Sequence, residues 1–221
     1  MRKILVLAPH PDDEVLGVGG TIAKWSSEGD EVYIAILTCV KAPDFDEQIS
    51  VIGRQEAYLA HQLLGVKETI FLDLPVLNLD SVGHVKVNKS ITDLMRRVSP
   101  DVLFIPFIGD VHQDHKWFSN AAMVASRPFY DFAPSTILAY ETLSETYWDI
   151  PLSTPDFIPS VFVNISNFVD MKIEAMKLYR SQSKKFPHER SIETLRSLAR
   201  VRGSSMHLPA AEAFMNVRNV M

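Results

Sequence analysis

The chain has 221 residues, a length typical of one large domain, and its 47% hydrophobic and 22% charged residues indicate an ordinary globular protein. The 27 acidic and 22 basic residues are scattered and give a formal charge of -5, which argues against a nucleic-acid-binding protein. The single cysteine, Cys39, excludes an intrachain disulfide and an all-cysteine zinc site. The apolar stretches are too short for a signal core or a bilayer crossing, so we expect one soluble, cytoplasmic domain over residues 1–221.

Strands and helices are predicted to alternate along the first two thirds of the chain. Continuous apolar runs bounded by proline or glycine predict buried strands, and apolar residues at helical spacing predict the helices between them. The predicted strands are Lys3–Ala8, Glu31–Thr38, Glu68–Leu72, Asp101–Pro106 and Thr136–Tyr140, and the predicted helices are Gly19–Glu28, Glu47–Gly65, Val87–Val98 and Trp117–Ser126. This order predicts a Rossmann-like α/β fold, with a mostly parallel sheet covered by helices on both faces.

The last third of the chain is less regular. Residues 143–159 contain three prolines and little periodicity, which predicts a long loop. A short strand is predicted at Val161–Ile165, and helices are predicted at Asn167–Arg180 and Ser191–Arg202. Leu208–Val217 fits either a helix or a strand. No repeat or flexible linker indicates a second domain.

A cluster of polar side chains, residues 8–14 (Ala-Pro-His-Pro-Asp-Asp-Glu), follows the first predicted strand. Open α/β sheets build their sites at the carboxyl ends of strands. The adjacent acids Asp12, Asp13 and Glu14 repel one another, so a divalent cation is a natural partner. Proline and aspartate are also common in turns, and a plain surface turn is the alternative interpretation.

A second cluster, Asp110 to His115, follows the fourth predicted strand. If the sheet reverses its direction of growth between the first and fourth strands, the two clusters face one crevice. Two histidines and an aspartate, with one position left for water, are typical of a catalytic zinc site. The remaining histidines have no such neighbours and are interpreted as surface or hydrogen-bonded residues: His61, His84, His188 and His207.

Both clusters resemble the signatures of the LmbE/PIG-L family of de-N-acetylases. Residues 8–14 followed by Gly17, Gly19 and Gly20 are similar to its first motif, and His112-Gln113-Asp114-His115 is similar to its second. Further similarity covers Lys177–Gln182 and Ala211–Phe214, and weaker similarity surrounds Arg54 and Glu141. The resemblance implies an LmbE-like three-layer αβα fold, one deacetylase domain over residues 1–221, and a homo-oligomer.

The resemblance also implies an activity, that of a zinc-dependent hydrolase removing the acetyl group from an N-acetylated amino sugar, as in an N-acetylglucosamine conjugate. The ligands of one Zn²⁺ per chain would be His10, Asp13 and His115, and other divalent metals are possible. Asp12 would act as general base and then as general acid. Zinc lowers the pKa of bound water to about 7, so this chemistry suits neutral pH.

Further residues take their expected roles from the same resemblance. His112, as imidazolium, would stabilise the oxyanion, an effect of order 3 kcal/mol. Asp114 would either orient His112 or cap the helix that begins near His115. Arg54 would bind a substrate hydroxyl or phosphate, or make an ion pair on a helix surface, and Glu141 is a further candidate substrate contact.

The chain departs from the family in two places. Relatives often carry a tyrosine directly before the C-terminal segment, where this chain has Ala210, and many place an aspartate in the loop that is Pro75–Asn78 here. We therefore expect no tyrosine role at position 210 and altered substrate contacts from that loop.

Three other functions compete with this interpretation. One is a deacetylase of a non-sugar acetamide, and another is a metal-dependent sugar-binding protein, which the presence of Asp12 disfavours. The third is a dinucleotide-binding oxidoreductase, suggested by Gly17, Gly19 and Gly20. These glycines lie well beyond the first strand, and the acids before them would repel a pyrophosphate.

Overall fold

A seven-stranded sheet forms the centre of the computed structural model, which describes residues 1–148 and 155–220. Its strands are β1 (Lys3–Ala8), β2 (Glu31–Cys39), β3 (Glu68–Pro75), β4 (Val102–Pro106), β5 (Thr136–Tyr140), β6 (Val161–Asn164) and β7 (Ala211–Asn219). The spatial order is β3-β2-β1-β4-β5-β7-β6. Strands β1 to β5 are parallel, and β7 is antiparallel to both of its neighbours.

Helices cover both faces of this sheet. They are α1 (Asp13–Ser27), α2 (Gln48–Leu64), α3 (Leu79–Val82), α4 (His84–Val98), α5 (Gln113–Ala125), α6 (Val169–Leu178) and α7 (Ile192–Ser204). One hydrophobic core lies under α1, α2, α6 and α7, and a second lies under α3, α4 and α5. The predicted three-layer α/β architecture with a mostly parallel sheet is thus confirmed.

Strand β1 shows why its sequence is continuously apolar. Ile4 and Val6 pack into the first core, while Leu5 and Leu7 pack into the second. Successive side chains of a strand point to opposite faces, so a strand covered on both sides needs apolar residues at every position. The pairing of β1 with both β2 and β4 places this strand at the middle of the sheet.

Helix α1 begins at Asp13 rather than at the predicted Gly19. Glycines lower helix propensity, which hid the first turns of α1 in the sequence. The glycines are needed for close packing of α1. A Cβ at Gly17 would lie 2.3 Å from the Tyr140 ring, and one at Gly20 would lie 2.7 Å from Ile165. The glycines therefore pack α1 against its neighbours, which removes the main argument for a dinucleotide site.

Three other predictions need correction or completion. Helix α5 begins at Gln113, four residues before the predicted Trp117. The ambiguous Leu208–Val217 segment forms strand β7, which inserts between β5 and β6. The predicted loop 143–159 contains no helix or strand among its described residues, and residues 149–154 lie outside the described part of the chain.

The topology brings the two polar clusters together. Strand β1 pairs in parallel with β4, with Ile4 opposite Val102 and Val6 opposite Phe104. The loops that follow these strands therefore leave the same edge of the sheet side by side, which meets the condition set in the sequence analysis for the two clusters to face one crevice. Within the two described ranges, no helix is long and apolar enough to cross a membrane.

Candidate functional site

Three side chains from the two loops converge on one point. The Asp13 Oδ2 atom lies 3.3 Å from His10 Nδ1 and 3.2 Å from His115 Nε2. One ligand atom from each residue lies within 4.8 Å of the others, and Asp13 and His115 are buried. Imidazole and carboxylate are common ligands of zinc in proteins.

The geometry and hydrogen bonding of this group fit a divalent metal ion. His115 Nε2 is buried and has no hydrogen-bond partner, which is unusual for a buried polar atom. A tetrahedral zinc ion with bonds of 2.0–2.1 Å places its ligand atoms about 3.4 Å apart, close to the separations of Asp13 from the two histidines. His10, Asp13 and His115 could therefore hold a metal ion and leave one position for water or substrate.

A carboxylate contacts the second nitrogen of each of these histidines. His10 Nε2 lies 3.1 Å from Asp114 Oδ2, and His115 Nδ1 lies 2.7 Å from Asp110 Oδ2. Asp110 is itself held by the Thr146 hydroxyl, which donates a hydrogen bond of 2.7 Å. Such outer carboxylates fix the orientation of metal-binding imidazoles. The sequence analysis assigned no role to Asp110.

The Asp114 carboxylate contacts His10, and its backbone amide bonds to His112. Its Oδ2 atom lies 4.0 Å from His112 Nδ1, too far for a hydrogen bond, and His112 is itself the N-cap of α5. The amide of Leu77 donates a further bond of 3.0 Å to Asp114. His10, His112 and Asp114 form a second group with metal-ligand spacing, but in that group the Asp114 carboxylate is already bonded.

Asp12 lines the cleft beside this centre in an unusual backbone conformation. Its φ of 110° lies in the left-handed region, which is uncommon for a residue with a side chain and recurs at functional sites. Its amide donates to Glu14 Oε2 at 3.3 Å, and Arg190 Nη1 lies 3.4 Å from its Oδ2. Burial and the neighbouring charge of Asp13 hold the pKa of Asp12 well above its ordinary value, which favours proton uptake.

His112 lies beside the candidate metal ligands at the start of α5. Burial, together with nearby His10, lowers the pKa of His112 to about 4. The Asp114 amide donates to His112 Nδ1 at 3.2 Å, so the proton of the neutral ring lies on Nε2. The ring centre lies 4.4 Å from that of His10, beside the candidate metal ligands.

The two candidate substrate contacts are Arg54 and Glu141, and of these only Arg54 lines the cleft. The cleft has a volume of about 260 Å³. The Arg54 guanidinium pairs with Asp73 and lies 4.4 Å from the centre of the Phe71 ring. Glu141 does not line the cleft. It accepts bonds of 2.8 and 2.6 Å from Arg202 and is 4% exposed.

Among the residues that line the cleft are Glu145, Gln182 and Arg190, to which the sequence analysis assigned no role in the site. Arg190 Nη1 donates to Gln182 Oε1 at 2.9 Å. Burial and the charge of Asp13 raise the pKa of Glu145 to about 7. These residues belong to separate C-terminal segments, and no local pattern connects them with the two clusters. Ala210, where relatives often have tyrosine, is buried and does not line the cleft.

Comparisons with known proteins show which family the chain is similar to. Residues 5–126 match the model of the PIG-L family, described as GlcNAc-PI de-N-acetylase. The diacetylchitobiose deacetylase of Thermococcus kodakarensis is 26% identical over 205 residues, covering 86% of this chain and 72% of the relative. The probable N-acetyl-alpha-D-glucosaminyl L-malate deacetylase 2 of Bacillus cereus is 28% identical over 199 residues, covering 82% and 84%.

The fold has solved counterparts as well. The N,N'-diacetylchitobiose deacetylase of Pyrococcus horikoshii, solved with an inhibitor, superimposes with a TM-score of 0.77 at 25% identity. The match covers 98% of this chain and 84% of that structure. Since the family model spans more than half of the residues, the chain belongs to the PIG-L family and is a hydrolase of the deacetylase type.

Proposed function

We propose that the protein is a zinc-dependent deacetylase that removes the acetyl group from an N-acetylated amino sugar of the N-acetylglucosamine type. The observation that carries the proposal is the buried His115 Nε2, which has no hydrogen-bond partner and lies 3.2 Å from Asp13, a residue that lines the cleft together with His10. The named substrates of the relatives, diacetylchitobiose and an N-acetylglucosaminyl malate, support the sugar class.

His10, Asp13 and His115 would hold one zinc ion per chain. When bound, zinc polarises a carbonyl oxygen and makes a bound water more acidic. Asp12 takes a proton from the water that attacks the acetyl carbon, and it returns this proton to the nitrogen as the carbon–nitrogen bond breaks. The products are acetate and the free amine of the sugar.

His112 and the outer carboxylates support this proton transfer. The Nε2–H group of His112 donates to the acetyl oxygen as negative charge develops there. Removing one such donor typically costs about 10²- to 10³-fold in kcat. Asp110 and Asp114 hold the two histidine ligands in orientation through contacts of 2.7 and 3.1 Å.

Arg54 binds the substrate outside the reacting acetamide, through a sugar hydroxyl or a phosphate. A guanidinium offers a rigid fork of donors, and this one stands at the cleft wall against Phe71. The cleft volume of about 260 Å³ is below the range of roughly 300–1,000 Å³ common for drug-sized ligands. The cleft therefore holds the acetylated unit, and a conjugated group extends beyond it. Glu141 has no part in this proposal, because Arg202 binds it elsewhere.

We further propose that residues 1–221 form one deacetylase domain that acts in the cytoplasm. The two hydrophobic cores share one sheet, which supports a single domain. The single cysteine is consistent with a reducing compartment.

Acetate release from a panel of N-acetylglucosamine derivatives tests the proposal. Zinc-loaded protein should release acetate, and chelator-treated protein and Asp12→Asn should not. Asp93→Asn, an exposed aspartate on α4, is the matched control and should retain full activity. Release that survives both the chelator and Asp12→Asn would contradict the mechanism. Hydrolysis of peptide or antibiotic acetamides alone would favour the non-sugar deacetylase.

A further inference from the structure

The segment between α6 and α7, residues 179–191, contacts the general base of the proposed mechanism, and we call it the strap. Two residues of the strap, Gln182 and Arg190, line the cleft. Arg190 Nη1 donates to Gln182 Oε1 at 2.9 Å and lies 3.4 Å from Asp12 Oδ2. The strap thus brings a positive charge to Asp12, next to the candidate metal ligands.

Backbone bonds fold the strap back on itself. The amide of Lys184 donates to the carbonyl of Arg190 at 3.2 Å, and Lys184 forms a β-bridge with Ser191. The amide of Arg190 also donates to His188 Nδ1 at 3.1 Å. These bonds explain why Gln182 and Arg190, which are eight positions apart in the sequence, lie side by side at the cleft.

A chain of hydrogen bonds connects Arg190 to helix α2. Beyond Gln182 Oε1, the Gln182 Nε2 atom donates to Ser181 Oγ at 3.1 Å. Ser181 Oγ donates in turn to Glu56 Oε2 at 2.6 Å, and the Ser181 amide donates to Glu56 Oε1 at 2.9 Å. Glu56 is a buried residue of α2 and accepts both bonds. Because a carboxylate can only accept, the chain has one direction, and the Gln182 oxygen faces Arg190.

The bonding of Arg190 differs from that of Arg202, another partly buried arginine. Arg202 donates to Glu141 through both Nε and Nη2, at 2.8 and 2.6 Å. In Arg190 the Nε atom is buried without a hydrogen-bond partner, and within the described residues only Nη1 of its side chain is bonded. A buried donor without a partner costs free energy. The Arg190 guanidinium is therefore placed for its contacts with Asp12 and Gln182 rather than for the largest number of bonds.

Arg190 also holds the carboxylate of Asp12 on its own. Of the residues that the structure describes, Arg190 is the one whose side chain binds this carboxylate, and it does so at Oδ2. Glu14 binds the amide of Asp12 and not its carboxylate. Contact at one oxygen limits rotation of the carboxylate and leaves Oδ1 for the proton. Proton transfer needs its reacting atoms aligned, and a misplacement of about 1 Å can cost roughly 10²-fold in rate.

We propose that Arg190 is a positioning residue that holds the Asp12 carboxylate in the orientation that proton transfer needs. Glu56 supports Arg190 from α2, through Ser181 and Gln182. Arg190 acts through Asp12 and not on the substrate, so its removal changes kcat rather than KM. The inference rests on the proposed function, because it takes Asp12 to be the general base.

Kinetics of Arg190→Met measure the effect on catalysis. Methionine keeps much of the volume but neither the charge nor the donors, so kcat should fall about 10²-fold, with KM within about twofold and zinc content unchanged. Arg196→Met is the matched control. The Arg196 side chain is 32% exposed, against 28% for Arg190, and pairs with Asp170 away from the cleft, so kcat should stay at the wild-type value. Full kcat in Arg190→Met, or a loss confined to KM, would overturn the proposal.

Chemical rescue separates positioning from damage to the fold. Because position 190 lines the cleft, guanidinium added at millimolar concentration can enter the space left in Arg190→Ala. It should restore kcat about tenfold, as expected for a hydrogen bond to a charged group. Urea has a similar shape without the charge and should restore nothing. Failure of guanidinium to rescue a variant with the wild-type melting temperature would count against positioning by Arg190.

Ser181→Ala tests the connection to α2. It removes the hydroxyl between Gln182 and Glu56, so kcat should fall roughly threefold to tenfold, the value of one neutral hydrogen bond. Ser183→Ala in the same strap is the control, since the Ser183 hydroxyl bonds to no described residue, and it should keep kcat. In Arg190→Met the further change Ser181→Ala should have no effect, because both act through one chain. Additive losses would contradict the connection.

Crystal structures of the wild type and of Arg190→Met test the orientation without any use of activity. In the wild type, Asp12 Oδ2 should lie within about 3.5 Å of Arg190 Nη1, and in the variant the Asp12 carboxylate should turn away from this position. An Asp12 carboxylate with the same orientation in both structures would overturn the proposal, even in an active deacetylase. The expected turn, together with a wild type that releases no acetate from any substrate, would instead reject the deacetylase function alone.

Discussion

Two buried ionic clusters contact helix α1, one at its N-terminal turn and one near its middle. The N-terminal cluster contains Asp12 and Asp13 with His10 and His115. The middle cluster is the ion pair of Lys172 with Glu212, whose charged atoms are 2.6 Å apart. Both clusters lie in the interior of the protein, but they differ in charge balance and in how many of their polar atoms have hydrogen-bond partners.

The middle cluster is balanced in charge and well bonded. Lys172 Nζ also donates to the Leu16 carbonyl at 2.8 Å. Glu212 accepts from the amides of Gly20 and Thr21 at 2.8 and 2.7 Å. Each charged atom of this buried ion pair therefore has a hydrogen-bond partner within the protein. Its effect is to fix α1 against α6 and β7.

By comparison, the N-terminal cluster has adjacent like charges and a buried nitrogen without a hydrogen-bond partner. Two carboxylates are adjacent, the backbone of Asp12 has a positive φ, and His115 Nε2 has no partner. Although burial alone would raise it, the charges of His115 and His10 hold the pKa of Asp13 well below its ordinary value. Perturbed and unsatisfied groups in a cleft are typical of functional sites. The comparison separates residues that stabilise the fold from residues available for chemistry.

Of the changes that test the difference between the two clusters, His115→Ala is expected to have the largest effect, on zinc binding and on activity. This change removes a ligand from the candidate metal centre, so zinc content should fall from one ion per chain to none detectable, and acetate release should stop. Elemental analysis after dialysis measures the first effect. His84→Ala changes a histidine that stacks on Trp117 outside the cleft, and it should keep both metal and activity. Stoichiometric zinc in the His115 variant would contradict the assignment.

Lys172→Met is the matching change in the other cluster. It leaves Glu212 charged and unpaired in the interior, so the free energy of unfolding should fall by roughly 3–5 kcal/mol. Denaturant unfolding of the metal-free protein measures this loss. Adding Glu212→Leu should restore part of the stability, because the unpaired charge is then gone. Folded Lys172→Met protein should still bind one zinc ion, and a loss of metal would show that the two clusters are not independent.

Changing an outer carboxylate tests how firmly the histidine ligands of the candidate metal centre are held. Asp110→Asn keeps the shape of the side chain but weakens its hold on His115, so zinc affinity should fall about 10- to 100-fold. Competition with a chelator of known affinity gives the value. The matched variant is again Asp93→Asn on the surface of α4, which should bind zinc like the wild type. Unchanged affinity in Asp110→Asn would assign Asp110 to the fold alone.

Replacing the glycines of α1 by alanine is expected to have the smallest effect, a loss of stability. Gly17→Ala places a Cβ 2.3 Å from the Tyr140 ring and should lower the free energy of unfolding by about 1–3 kcal/mol. Gly19→Ala meets the flexible Lys172 side chain at 3.2 Å and Val15 at 3.3 Å, which are longer distances, and it should cost less. Thermal unfolding of the two variants compares them. Equal stability of both would mean that α1 shifts easily and that the close packing is not required.

Sequence patterns predicted those features of the structure that depend on residues close together in the chain. Continuous apolar runs located the strands, and the bounds of Lys3–Ala8 and Thr136–Tyr140 were predicted to the residue. The two polar clusters were recognised because each is a short segment at a strand end. The pairing of β1 with β4 follows from general rules of doubly wound sheets.

Residues that act over long separations were not predictable in this way. Arg190 lies 178 positions from Asp12 along the chain, and no periodicity connects them. The roles of Asp110 and Asp114 depend on which nitrogen of each imidazole faces Asp13, a property of the folded loops. The start of α1 was missed because helix propensity penalises glycine, whereas tertiary packing requires it at Gly17 and Gly20.

The central claim is that His10, Asp13 and His115 hold a zinc ion at the cleft. A crystal structure of the zinc-loaded protein, with anomalous data at the zinc edge, tests it most directly. We expect one anomalous peak per chain, within about 2.0–2.2 Å of His10 Nδ1, Asp13 Oδ2 and His115 Nε2. A peak between His10, His112 and Asp114 instead, or no peak with His115 Nε2 bonded to protein or water, would contradict the account.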